Sequence, residues 1–248
     1  MKVLTINNKL VTSPIGTITA VPDNVVPSVV STRDGSLGLT TKGKVLAVGD
    51  NSVGQLNVSG WSNIEKIAAS TLATTGIKRD GTILHAGDAT IAAVTGWTDI
   101  TQMSVGGTGF VWAVGLKSDG TAIGTGANTN GQLNVDGWFD LIQVFTNDGA
   151  ATLGVKKDGT VLFTGNNFVG LSGTSAWTGI KEVASSPRGA VGRRSDGSTI
   201  YLGDNTYGAV ATVATWTDII KVCIGNYYVA GLKADGTVNS VGGGSVAW

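Results

Sequence analysis

The chain has 248 residues, and its formal net charge is zero because 17 basic residues balance 17 acidic ones. This neutrality argues against a nucleic-acid-binding protein, whose affinity comes from basic residues that neutralise phosphates. The 38 glycines stand beside only 4 prolines and 42% hydrophobic residues, which excludes a disordered linker and predicts short strands joined by many tight turns.

The start of the chain, MKVLTINNKLVTS, has no continuous apolar run long enough for a signal peptide. No stretch approaches the length of a membrane span. We therefore expect a protein made in the cytoplasm, which an assembled particle such as a virion could still carry outside. Cys223 is the single cysteine, so no internal disulfide can form, and we expect it to be a small buried strand residue.

Six repeats then follow one another with a period of 38 or 39 residues, each beginning with a glycine that in most repeats is followed by an apolar and then a basic residue. A fixed period near 40 predicts a solenoid, a propeller or an array. The repeats begin at Gly38, Gly76, Gly115, Gly154, Gly192 and Gly231. Each reaches a tryptophan that we predict to be a structural packing anchor between blades, namely Trp61, Trp97, Trp138, Trp177, Trp216 and Trp248.

Within one repeat the pattern predicts four strands. An IIKV-type run gives strand A, the GLK-type run strand B, a TVLFTG-type run strand C, and the LNV-like stretch before the tryptophan strand D. Asp-Gly between strands B and C predicts a two-residue hairpin, in which both turn residues accept positive φ. Four strands per repeat favour an all-β propeller, whereas the rungs of a parallel β-helix are shorter and lack such hairpins.

The stretch GLKSDGTAIGTGANTNGQLNVDGW at residues 115–138 resembles the repeats of the regulator of chromosome condensation family. In its short period the chain is most similar to propeller-type β-lactamase inhibitory proteins, and phage structural proteins carry similar GQLNV-GW-TDI repeats. The resemblance implies a β-propeller, but the repeat serves exchange factors, inhibitors and surface proteins alike. No repeat carries an insertion long enough to act as the wedge of an exchange factor.

The sequence leaves two blade counts open within a single propeller domain spanning residues 1–248. Residues 4–13 align with residues 39–48, so residues 1–23 could form a degenerate first blade and give about seven blades. Alternatively, residues 1–23 are an N-terminal extension, and the run at 25–30 closes a six-bladed ring. The family resemblance favours seven.

Two faces of the propeller are predicted, because neighbouring strands run in opposite directions and the turns that join them therefore lie at opposite ends. The Asp-Gly hairpins lie on one face with five basic residues that we expect to be solvated: Lys78, Lys117, Lys156, Arg194 and Lys233. The other face is less repetitive and offers the residue types that dominate binding hot spots. There we predict a site for protein or glycan made of Phe110, Trp112, Asn147, Asp148, Phe168, Arg188, Tyr207, Tyr227 and Tyr228. The resemblance to inhibitory proteins implies that aromatic residues of such turns bind the partner. Alternatively, these aromatic residues cap the cores of the blades.

Catalytic and metal-binding residue sets are not evident in the sequence. His85 is the only histidine, so neither a zinc cluster nor a Cys–His pair is expected unless His85 and Cys223 meet. We expect no cofactor, no metal and no enzymatic activity. Arg193 departs from the repeat, where its counterparts are Leu, Ile or Val, and we expect it to reach a nearby carboxylate.

The sequence therefore favours a non-enzymatic binding or structural propeller. A phage virion protein, in the tail, a fibre or the decoration, or a microbial surface protein fits best, and it would engage a receptor or a neighbouring subunit. We expect neither nucleic-acid binding nor membrane insertion. Two alternatives stay open, an inhibitor or regulator of a soluble enzyme and a carbohydrate-binding module.

Overall fold

The computed structural model describes residues 12–13, 16–17 and 25–243, and its side chains from residue 29 onward. Strands β1 (Thr12–Ser13) and β2 (Gly16–Thr17) form a small antiparallel pair. Six three-stranded antiparallel sheets follow, so the predicted all-β class is confirmed. The first three sheets contain β3 (Val25–Ser31), β4 (Gly35–Thr40), β5 (Val45–Gly49), β6 (Ile64–Ala69), β7 (Ala73–Lys78), β8 (Ile83–Gly87), β9 (Ile100–Gly106), β10 (Trp112–Lys117) and β11 (Ala122–Gly126). The last three contain β12 (Leu141–Thr146), β13 (Ala151–Lys156), β14 (Val161–Gly165), β15 (Ile180–Ser186), β16 (Gly189–Arg194), β17 (Thr199–Gly203), β18 (Ile219–Ile224), β19 (Tyr228–Lys233) and β20 (Val238–Gly242).

The LNV-like stretch before the tryptophan does not form the predicted fourth strand in the described sheets. In the stretch before Trp61, the N–H of Asn57 bonds the carbonyl of Gly54 at 3.1 Å, and that of Trp61 bonds Val58 at 2.9 Å. Because such bonds stay within three residues, the backbone is not available for a ladder with strand C. Three other repeats are helical here, in two 3-10 helices and one short α-helix, namely Ala89–Gly96, Leu171–Ala176 and α1 (Ala209–Val213).

The Asp-Gly hairpins have a longer turn than the predicted two-residue type. The N–H of Gly81 bonds the carbonyl of Lys78 at 2.9 Å, and the N–H of Lys78 bonds the carbonyl of Thr82 at 2.8 Å. Gly81 has a φ of 84°, whereas Asp80 does not have a positive φ. The loop is therefore a three-residue hairpin with glycine in the left-handed position. The Asp80 carboxylate accepts the N–H of Thr82 at 2.9 Å, which satisfies this donor within the turn.

The chain divides into two compact units. The first contains the described residues up to 118 together with residues 123–127, and the second contains residues 119–122 and 128–243. In the second unit, Trp177 lies in a core cluster with Leu153 and Val161 of one sheet and Ile180 of the next. That the whole chain is one propeller domain stays a prediction. So does the role of residues 1–23, most of which lie outside the described residues.

Each described repeat tryptophan lies against the glycine that begins the next repeat. A Cβ atom on Gly192 would meet the Trp177 ring at 2.9 Å, so the glycine leaves the space that the indole fills. Trp61, Trp177 and Trp216 are buried, whereas the other two rings are partly exposed. The same contact joins the pairs Trp61–Gly76, Trp97–Gly115, Trp138–Gly154 and Trp216–Gly231. The sixth predicted anchor, Trp248, lies outside the described residues.

Candidate binding cleft in the second unit

Three turns of the second unit converge on one cleft. Strand register brings the first two together, because Gly189 of β16 pairs with Gly203 of β17, and the turn residues Arg188 and Asp204 flank this pair. The third turn joins β18 to β19. The cleft holds about 310 Å³ of space, part of it open to solvent. The residues that line it include Tyr201, Asp204, Tyr207, Asn226, Tyr227 and Tyr228.

Arg188 connects the three turns. Its Nη1 donates to Oδ2 of Asp204 at 2.8 Å, and its Nη2 lies 3.4 Å from the hydroxyl of Tyr227. The guanidinium carbon also stands 4.6 Å from the centre of the Tyr227 ring, which is a cation–π contact. The pKa of Asp204 is lowered by hydrogen bonds from Thr206 and then from Arg188, so the carboxylate is charged at neutral pH.

Two tyrosine rings form the exposed wall of the cleft. Tyr207 and Tyr227 meet edge to face, with ring centres 6.5 Å apart and an angle of 83° between the planes. They are 49% and 51% exposed. A Cβ atom on Gly243 would lie 2.3 Å from the Tyr207 ring, so the ring rests directly on glycine backbone. Backbone and the neighbouring ring thus hold Tyr207 while one half of its surface stays open to solvent.

Two further tyrosines are more deeply placed. The hydroxyl of Tyr201 donates to the carbonyl of Asp204 at 2.9 Å, which ties the turn after β17 to its own strand. The ring of Tyr228 rests against Gly225. Burial raises the pKa of both tyrosines. Both hydroxyls therefore stay protonated over the neutral range and act as neutral hydrogen-bonding groups.

Four of the nine predicted site residues meet in this cleft, namely Arg188, Tyr207, Tyr227 and Tyr228. Phe110 of the first unit and Phe168 of the second are strongly exposed, at 73% and 82%. Asp148 is exposed on the turn between β12 and β13. These positions do not test whether any of the residues binds a partner.

The structure places two predicted site residues, Trp112 and Asn147, in the interior, which differs from their expected place on an exposed face. Trp112 is only 3% exposed and begins β10, so it fits the alternative that some turn aromatics cap a core. Asn147 is buried, and its side chain bonds Ser185 and the carbonyl of Ser186, both at 3.1 Å. It joins the β12–β13 turn to strand β15.

Three of the cleft residues with polar side chains were not predicted from the sequence: Tyr201, Asp204 and Asn226. Asp204 stands in a Gly-Asp-Asn turn like that of Asp50, so sequence reasoning treats it as a turn former. One feature of the sequence could have indicated Asp204, namely that it follows the turn residue Arg188 by 16 residues, at the other end of the same B–C hairpin. This spacing indicates a contact only when the ends of β16 and β17 are known to be adjacent.

The other singled-out residues lie elsewhere. Arg193 does reach a carboxylate, since its Nε lies 3.1 Å from Glu182, whose other oxygen is 2.7 Å from Lys221 Nζ. Cys223 is exposed as a residue, which corrects the expectation of a buried one, although the partial burial of its thiol raises the pKa of that group. Burial lowers the pKa of the half-buried His85. Within the described residues, no group of three or more His, Cys, Asp or Glu could hold a metal ion.

No family model matches the chain, and no curated protein matches it in sequence. Several solved structures are similar to it. Prp20p of Saccharomyces cerevisiae is 15% identical, over 84% of this chain and 69% of that protein, with a TM-score of 0.62. Yeast RCC1 (Prp20) in its complex with Kap60 is 12% identical, over 87% of this chain and 69% of that one, with a TM-score of 0.68. The CRINKLY WD40 ectodomain of the receptor kinase ACR4 from Arabidopsis thaliana is 14% identical, over 87% and 79%, with a TM-score of 0.62.

At these identities the likeness shows the fold alone. The predicted resemblance to the regulator of chromosome condensation type is confirmed at that level. No helix within the described ranges is long and apolar enough to cross a membrane. The six three-stranded sheets of this chain therefore belong to a β-propeller-like fold, similar to that of yeast RCC1 and of a plant receptor-kinase ectodomain.

Proposed function

We propose that the chain is a non-enzymatic binding module of a phage virion or a microbial surface. It engages a receptor or a neighbouring subunit through the cleft of the second unit. The observation that carries this proposal is the pair of half-exposed tyrosines, Tyr207 and Tyr227, held in place by Arg188 and Asp204. The similarity of the repeats to those of phage structural proteins supports the choice of particle.

The cleft is ordered in advance of binding. Immobilising a long side chain on binding costs about 0.5–1.5 kcal/mol, and this cost falls when the side chain is already fixed. Arg188 is fixed by an ion pair and a ring, and Tyr207 by Gly243 and a second ring. Tyrosine and arginine are also the residue types that dominate binding energy in interfaces. Rigid, half-exposed rings of this kind support recognition.

Catalysis is not supported by the groups that line the cleft. Asp204 accepts bonds from Thr206 and Arg188, which lower its pKa and make it a weak general base at neutral pH. The raised pKa values of Tyr201 and Tyr228 make their deprotonation at neutral pH unfavourable. A role in binding agrees with the similar yeast RCC1, whose structure is a complex with Kap60.

An inhibitor or regulator of a soluble enzyme is the second candidate. The short repeat period, which is similar to that of propeller-type inhibitory proteins, favours it. The same cleft would then face a single soluble enzyme, and the identity of the captured partner separates the two candidates.

Affinity capture tests the proposal. The chain is immobilised and exposed separately to purified particles, to surface fractions and to the soluble lysate of its source, and bound proteins are identified and their affinities measured. We expect a particle or surface protein to bind, and we expect Tyr207→Ala/Tyr227→Ala to weaken binding by more than tenfold.

Phe139→Ala is the matched control, because it removes an exposed aromatic ring of the same unit that lies outside the cleft and is not among the predicted site residues. It should retain the affinity of the unsubstituted chain. Capture of one soluble enzyme instead would favour the inhibitor. Equal capture by the double variant would overturn the choice of cleft.

A further inference from the structure

We infer that the group held in this cleft is a neutral glycan residue displayed by the partner. The inference rests on the proposed function, because it names what the binding module touches. Three properties of the cleft carry it: the aromatic wall, the balanced charge and the mixed hydrogen-bonding groups at the rim.

The aromatic wall fits the apolar face of a sugar ring. Tyr207 and Tyr227 stand at 83° to each other, so their rings form a corner rather than a flat surface. The face of an aromatic ring is negative, which favours polarised C–H groups placed over it. Arg188 already covers part of the Tyr227 ring, so an incoming sugar would rest on Tyr207 and on the open part of Tyr227.

The charge of the cleft is balanced. Arg188 and Asp204 form an ion pair at 2.8 Å, so an anion would be opposed by the carboxylate and a cation by the guanidinium. The cation–π position on Tyr227 is also occupied by Arg188 itself. These groups therefore favour a ligand without net charge.

The rim offers both donors and acceptors. Asn226 is exposed beside Tyr227, and its amide supplies two donor hydrogens and one acceptor oxygen. The hydroxyls of Tyr207 and Tyr228 can each donate and accept, and a guanidinium carries five donor hydrogens. Neighbouring hydroxyls of a sugar both donate and accept, so a mixed rim of this kind satisfies them without a charged partner.

Direct binding to glycans tests the inference. The probe is an immobilised panel of neutral oligosaccharides built from glucose, galactose, mannose and N-acetylglucosamine, with sialylated and sulfated glycans beside them. We expect saturable binding of at least one neutral oligosaccharide. Tyr207→Ala and Asn226→Ala should each lower the affinity at least fivefold, and Phe139→Ala, which removes an exposed ring outside the cleft, should leave it unchanged. Thermal unfolding of each variant shows that the fold is retained.

Three results would overturn the inference: no binding to any neutral oligosaccharide, preference for the charged glycans, or equal binding by the cleft variants. Capture of the protein partner before and after its enzymatic deglycosylation separates this inference from the proposed function. Capture that depends on Tyr207 and survives deglycosylation keeps the proposed function and removes the glycan. Absence of both capture and glycan binding removes both.

Discussion

The two ends of the sheets in the second unit differ in how their side chains are used. At the Asp-Gly hairpin end, the turn carboxylate bonds its own backbone, as where Asp158 and Asp235 accept the N–H of the threonine two residues on, both at 2.9 Å. At the cleft end, Asp204 accepts the N–H of Thr206 in the same way, at 2.8 Å, but Arg188 also bonds both Asp204 and Tyr227, so that side chains of three different turns are joined.

This difference separates the positions that build the fold from those that are free to bind. The hairpin glycines also accept a backbone bond from the next sheet, as where the N–H of Ile219 donates to Gly197 at 3.0 Å. The bonded carboxylates and carbonyls of such turns are therefore not available to a ligand. The cleft turns are less repetitive, and Tyr207 and Tyr227 keep about half of their surface exposed. We therefore expect substitutions at the hairpin end to affect stability, and those in the cleft to affect binding.

The largest expected effect is at a repeat tryptophan. Trp177→Ala removes a buried ring from between two sheets, and such truncations cost about 3–5 kcal/mol of the free energy of unfolding. Urea denaturation measures this loss. Phe168→Ala removes a ring that is exposed in the same unit and should change stability by less than about 0.5 kcal/mol. Similar losses for both variants would contradict the assignment of Trp177 as an anchor.

The glycine beneath the tryptophan comes next. Gly192→Ala would place a Cβ atom 2.9 Å from the Trp177 ring and 3.0 Å from Ile180. Overpacking of this kind lowers the free energy of unfolding by about 1–3 kcal/mol. Urea denaturation would show this loss as a lower midpoint. Gly96 lies directly before Trp97, and no described atom lies within 4 Å of its added Cβ. The corresponding residue before Trp177 is already an alanine, Ala176. Gly96→Ala should therefore be close to neutral, and an equal loss at both glycines would contradict the contact of Gly192 with Trp177.

The departure from the repeat at Arg193 gives a smaller effect. Glu182→Gln removes the carboxylate that Arg193 and Lys221 share, and we expect a loss of about 1–2 kcal/mol because both cations are partly solvated. Adding Arg193→Leu restores the residue type of other repeats, such as Leu116. The double variant should regain most of the loss in a double-mutant cycle. Strictly additive losses would show that the two residues do not interact.

The smallest effect concerns pH at the cleft. Because the folded pKa of Asp204 is below its ordinary 3.8, the contribution of its ion pair is present above that pH and is lost as the pH falls through the lowered pKa. NMR signals of the Tyr227 ring should therefore shift only below about pH 3.8. Asp204→Asn should abolish this titration, whereas Asp158→Asn on a hairpin should preserve it. A shift near neutral pH would contradict Asp204 as its source.

Much of the fold could be predicted because the same residue types recur in each repeat at the positions where the backbone conformation demands them. The residue before each A strand is Asn, Asp or Gly, and the structure shows why, since Asn63, Asp99, Asp140 and Asp218 have φ near 60°. Strand D was predicted because the LNV-like stretch has a composition that is typical of strands, and this prediction was wrong. Its polar neighbours bond locally instead, as where Asn51 accepts the N–H of Leu56 at 2.7 Å.

The candidate site could be predicted only in part. Arg188, Tyr207 and Tyr227 stood out because they interrupt a regular pattern, and the structure brings them together. Trp112 interrupts it equally but lies in the core. Side-chain type alone cannot separate these cases, because the surrounding backbone decides whether a turn aromatic points outward or inward.

The sequence by itself determined the period, the strand class and the hairpin positions, because each follows from short-range backbone geometry or from a pattern present in every repeat. Only the tertiary structure decided that Arg188 lies between Asp204 and Tyr227, that Glu182 joins Arg193 to Lys221, and that Trp112 is buried. These contacts depend on which strand ends become neighbours, and that proximity arises only when the sheets pack.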